Sequence, residues 1–146
     1  MEGIYTSQYH EQKTSYKDTD CLVAALHEQG YATVEVHEVA QQLYDWHGRK
    51  TTYLDSEGDK ANVIVRRHVV GGSANDLGFR KNPDGTLDAI VSQYDSRKHN
   101  AEWFKGLKRA YTEKVDLKTA AKNGLRFLGR KTVNGKIQLQ FLDPRS

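Results

Sequence analysis

Between positions 61 and 94 the chain carries two apolar runs, ANVIVRR and TLDAIVSQY, separated by a glycine-rich corner, HVVGGSANDLGF, and a turn sequence, NPDG. Ala61, Val63 and Val65 alternate with Asn62, Ile64 and Arg66, so both faces are partly apolar and the run reads as an interior strand. Gly71 and Gly72 break it, a second strand starts over 75–80, and Pro83, Asp84 and Gly85 return the chain into Leu87, Ala89 and Val91. Two successive reversals exclude a parallel sheet and predict an antiparallel meander.

The flanking segments supply the rest of the architecture. Residues 7–16 alternate weakly and predict an opening strand with Tyr9 and Tyr16 as its large side chains. Asp18 or Thr19 caps a helix with Leu22, Ala25 and Leu26 at helical spacing and Gly30 as its stop. YATVEVHEV then predicts a strand with Val34 and Val36 on one face and Glu35 and His37 on the other. The stretch that follows, up to Lys60, has a short apolar cluster of Leu43, Tyr44 and Trp46, then loses its period and reads as a long connection with room for one helical turn or a small extra strand pair, a class of segment that is often functional. Within it Trp46 reads as a plug over the core, with a docking role as the alternative. The acidic DSEGD run, with Asp55 and Asp59, lacks calcium-loop spacing and reads as a solvated turn.

Beyond Asp95 the period becomes helical. Ser96 or Asn100 caps a stripe of Phe104, Leu107 and Tyr111, and Asp116 opens a further helix stopped by Gly124. RFLGRKTV and IQLQF flank Asn134-Gly135, a type I′ hairpin signal. The predicted fold is α+β: an antiparallel sheet of meander plus C-terminal hairpin, with two to three helices mainly on one face. One domain spans 1–146, its core at about 9–142.

Charge is unevenly distributed. Residues 1–96 hold 9 Lys+Arg against 15 Asp+Glu, and residues 97–146 hold 13 against 4, so the net +3 divides into −6 and +9. Such a segment attracts acidic partners through its local field. The one cysteine, Cys21, lies among apolar neighbours and reads as a buried thiol. The N-terminal sequence lacks a signal-peptide pattern, and no apolar run approaches the roughly 20 residues of a membrane span. A cytoplasmic protein with no membrane contact is expected.

Two surfaces are candidates for function. At the corner, His68, Gly71, Gly72, Ser73, Asn75 and Asp76 bring backbone amides, a hydroxyl and polar side chains together. Paired glycines suit an anion-binding nest, which makes a phosphorylated or nucleotide-like small molecule the implied ligand. The pattern matches neither phosphate-loop nor dinucleotide fingerprints, and the ordinary reading is a β-turn. Asp76, Asp45 and Asp95 provide acids for His68, yet no spacing selects a pair, so no catalytic residue is assigned. No spacing implies a metal or a cofactor.

The second surface is basic. Lys105, Lys108 and Arg109 share one helical sector, while Lys114, Lys118 and Lys122 repeat along another, with Arg126, Arg130 and Lys131 following. Together they suit an acidic protein or the phosphates of nucleic acid, against the ordinary reading of a solvated face. Trp103, Phe104 and Tyr111 are needed by the core, which disfavours base stacking on this segment. The expected role is a non-catalytic cytoplasmic accessory module acting through the basic helices. The alternative is a phosphorylated ligand held or hydrolysed at the corner.

Several motifs occur in a recognisable order: Asp20-Cys21-Leu22 with Ala24-Ala25-Leu26 and Gly30-Tyr31, the segment 44–48, the run 61–67, and Gly71-Gly72 with Asn75-Asp76-Leu77-Gly78-Phe79. Asp84-Gly85 and then Trp103, Leu107 and Tyr111 continue it. In this order the chain resembles a family of small proteins of cyanobacteria, plastids, other bacteria and phages, described as the plastid reading-frame thirty-five type, a domain of unknown function. The resemblance implies one compact domain and carries over no catalytic residues.

Overall fold

The computed structural model describes residues 3–8, 16–92, 95 and 97–145. In chain order the elements are β1 (Gly3–Gln8), α1 (Thr19–Glu28), β2 (Glu35–Gln42), β3 (Lys60–Val65), α2 (Arg67–Val70), β4 (Leu77–Lys81), β5 (Leu87–Ile90), α3 (Ala101–Lys122), β6 (Arg126–Val133) and β7 (Lys136–Asp143). The fold is α+β, with β2-β3-β4-β5 as a four-stranded antiparallel meander. A second antiparallel sheet has the order β1-β7-β6. Most of the predicted opening strand, residues 9–15, lies outside the described residues, and Tyr16 makes an isolated bridge to Leu87.

One face of the meander carries the main core. Val63, Val65, Leu77, Phe79 and Leu87 pack against Leu22, Ala25 and Leu26 of α1 and Leu107 and Ala110 of α3. Each fully buried aliphatic or aromatic side chain contributes about 1.5–3 kcal/mol, so this cluster dominates the stability of the fold. Asp18 caps α1 by accepting from the Cys21 amide at 3.0 Å, and Asn100 caps α3 by accepting from Trp103 N at 2.9 Å. The Tyr111 hydroxyl ties the helices together by accepting from the Lys17 and Asp18 amides. Burial, with Asp18 nearby, pushes the Cys21 thiol up to about 11, which suits an inert core residue.

The opposite face is covered by the connection between β2 and β3. Leu43 reaches into a small cluster with Ala61, Ile64 and Ile90. Of the two local structures the sequence allowed for in this connection, the structure shows a small strand pairing. Tyr44 bridges Lys50, and the buried Asp59 carboxylate accepts from the amides of Tyr53, Leu54 and Asp55. Burial pushes the Asp59 carboxyl up, but these three amides hold it below its ordinary range. The expectation of a solvated acidic turn therefore needs correction at Asp59, which organises the loop from inside.

Three further corrections follow from packing. Trp46 does not plug the core: it stands 51% exposed at a loop tip. The corner between β3 and β4 begins with a helical turn, α2, absent from the sequence reading. α3 runs unbroken for 22 residues through Asp116, where a second helix was expected. Its continuity has a physical cause, since its far end has a core of its own in Ala120, Leu117, Leu139 and Phe141. α3 is thus common to both sheets.

Candidate functional site

Asp76 organises the corner. Its Oδ2 accepts from Tyr44 N at 2.8 Å and from Arg66 Nη1 at 2.9 Å, and its Oδ1 accepts from Arg67 N at 2.7 Å. Arg66 extends this network, donating through Nε and Nη2 to both oxygens of Glu35 and through Nη1 also to Gln42 O. The fork geometry suits a guanidinium between two carboxylates. The hydrogen bond from Arg66 holds the Glu35 carboxyl below its ordinary 4.5, and burial only partly opposes it. Glu35 is therefore ionised at neutral pH, and the oxygens of both acids are engaged by donors, which leaves neither as a free general base.

Above this network lies an open cleft of about 490 Å³ lined by Glu35, Tyr44, Gly48, Arg66, Arg67, His68 and Asp76. Arg67 differs from Arg66. Its Nη1 donates to the carbonyls of Asp45 (3.2 Å) and Trp46 (3.0 Å), while Nε and Nη2 have no partner among the described residues. One edge of this guanidinium is fixed by backbone and the other is available. Gly48 keeps it uncovered: a Cβ there would sit 3.3 Å from Nη2, and the backbone is left-handed at φ +79°.

Of the corner residues singled out by sequence, His68 and Asp76 line the cleft, and Gly71, Gly72, Ser73 and Asn75 do not. Gly71 and Gly72 have φ of 96° and 63°, and Lys98 Nζ donates to Gly71 O. Asn75 is buried, receiving Trp46 N on its Oδ1 and donating its own N–H to Asp95 at 3.0 Å. The acids considered for His68 are engaged elsewhere: Asp76 as above, Asp95 by Asn75, and Asp45 by the amides of His47 and Arg49. Sequence reasoning missed Glu35, Tyr44, Gly48, Arg66 and Arg67. The adjacent arginines at a strand end were the available signal. Among the described residues no three His, Cys, Asp or Glu side chains are placed to hold a metal ion.

The basic residues divide. Lys114 pairs with Glu28 at 3.1 Å and Lys118 with Asp18 at 2.7 Å, so both bridge α3 to α1, and Arg130 pairs with Glu113 of α3. Lys105, Lys122, Arg126 and Lys131 are exposed, Lys108 is half-buried, and none of the five has an ion pair among the described residues. Arg109 is exposed and engaged. Lys105 and Lys122 stand about 25 Å apart along the axis of α3. The cations are therefore spread along the length of the helix and onto the hairpin.

No family model, curated protein or solved structure matches the chain. Among the described residues no helix is long and apolar enough to cross a membrane.

Proposed function

We propose that this protein is a non-catalytic binding module whose ligand presents a phosphate to the cleft beside Arg67 and His68. The half-free Arg67 guanidinium carries the reading, because a donor edge fixed in place and left without a partner binds an oxyanion at little entropic cost. Engagement of Glu35, Asp45, Asp76 and Asp95 supports binding over hydrolysis. The test is calorimetric titration with inorganic pyrophosphate. Arg67→Gln is expected to weaken binding at least tenfold and Lys122→Glu to leave it unchanged. Absence of binding to the wild type, or equal binding by Arg67→Gln, rejects the cleft as the site.

The sequence favoured the basic helix surface instead. The five cations without ion pairs support a weaker, distributed attraction for an acidic protein or nucleic acid, which Lys105→Glu with Lys122→Glu would reduce without affecting pyrophosphate. Membership of the plastid reading-frame thirty-five type family and a cytoplasmic location, supported by the buried free thiol of Cys21, belong to the same proposal.

A further inference from the structure

We propose that the cleft and the adjoining loop over 43–50 bind single-stranded nucleic acid, with a base stacked on Trp46 and a neighbouring phosphate on Arg67 and His68. This rests on the reading of the cleft as a phosphate site and names its ligand class.

The first observation is the way Trp46 is held. The residue is 51% exposed, yet its backbone is fixed at both ends: its N–H donates to Asn75 Oδ1 at 2.8 Å and its carbonyl accepts from Arg67 Nη1 at 3.0 Å. Asp45 stiffens the same turn by receiving the Gly48 amide on its carbonyl and the His47 and Arg49 amides on its carboxylate. A large ring exposed on a rigid support presents contact area with little order left to lose on binding. The His47 ring sits against it at 3.6 Å between centroids, tilted by 38°, which limits the orientations the indole can take.

The second observation is the cost of that support. Asn75 is 1% exposed, and its Nδ2 has no partner among the described residues, although its Oδ1 is committed to Trp46. This buried residue commits its side-chain carbonyl to the Trp46 amide and its backbone N–H to Asp95, so the loop is anchored to the corner from inside.

The third observation is composition around the ring. Arg67 lines the cleft and holds the Trp46 carbonyl, so the guanidinium is anchored to the backbone of the residue that carries the exposed ring. Tyr44, 38% exposed, lines the cleft as well, with Arg66 at 5.9 Å from its ring centroid. Arg49 and Lys50 are exposed on the same turn. Alternating aromatic faces and cations match a strand of alternating bases and phosphates. Bases inside a duplex are already stacked and cannot use the ring.

The experiment uses the full chain and a labelled oligothymidylate, read by anisotropy across a salt series, together with an abasic oligomer of the same length and a duplex. The wild type is expected to bind the oligothymidylate at low salt, with tryptophan quenching and an affinity that falls linearly in log–log form with salt. Trp46→Ala should weaken it at least tenfold, abolish the quench and leave the melting temperature unchanged. The abasic oligomer and the duplex should bind the wild type about as weakly as the oligothymidylate binds Trp46→Ala. Equal affinity for the abasic and thymidylate oligomers, with loss on Arg67→Gln, overturns stacking and leaves the phosphate site standing. Equal binding of duplex, or an unaffected Trp46→Ala, also overturns it. Failure to bind the oligomer while pyrophosphate still binds overturns the nucleic-acid reading and leaves the phosphate site standing, and failure to bind either rejects both readings.

Discussion

Asp76 shows how one carboxylate joins chain segments distant in sequence, since its donors come from the residue after Leu43 and from both arginines that follow β3. Removing a buried partner strands the others, so Asp76→Ala should cost about 3–5 kcal/mol in urea denaturation, and a loss below about 1 kcal/mol would show that the network is dispensable. Glu35 brings a pH dependence. Its folded-state value lies below the ordinary 4.5, so its contribution is complete above 4.5 and is lost as pH falls through the folded value. Glu35→Gln should flatten the acid limb of the stability profile. His99 acts at higher pH. Burial holds it below 6.5, partly opposed by Asp95, so the neutral ring favours folding and stability declines as pH falls below 6.5. Thermal melts between pH 7 and 5 should show this decline in the wild type and lose much of it in His99→Gln. At this scale the sequence revealed His68 and Asp76, because both sit beside the conspicuous glycines. It concealed Arg66 and Glu35, which read as strand alternation until the fold places them 2.9 Å apart.

Local chemistry and remote packing divide the elements. Asn134-Gly135 forms a turn at φ 51° and 75°, as the dipeptide requires, and the caps at Asp18 and Asn100 were readable for the same reason. α2 was not, because four residues carry no period. The continuity of α3 was hidden because Leu117 and Ala120 pack toward a different sheet from Leu107, so the apolar stripe changes direction part-way along. Gly78 in β4 belongs to the remote class. A Cβ there would lie 2.7 Å from both the Ala61 Cβ and Leu43 Cδ1, so the connection after β2 closes only over a bare backbone. Gly78→Ala should destabilise by about 1–3 kcal/mol through overpacking, measured by urea midpoint, and a neutral result would mean that Leu43 repacks freely.

For the molecule as a whole, the −6 and +9 segments meet internally in part, through Lys118 with Asp18 and Lys114 with Glu28 across the two helices. The charge asymmetry was legible and its internal use was not, since complementarity needs the helices side by side. The second sheet poses a different problem. β7 lies between β6 and β1, so deletion through Gln8 should leave its outer edge open. Self-association on size-exclusion chromatography is the expected outcome, and a monomeric deletion variant would show that the edge is otherwise guarded. The pairing Gly3↔Asp143 also fixes an order of events during synthesis. A ribosome that adds about 5–20 residues per second releases the first strand roughly 6–25 s before its partner exists. During that interval the meander and helices can form, while the strand over 3–8 has no partner strand to pair with until residues 136–143 leave the tunnel.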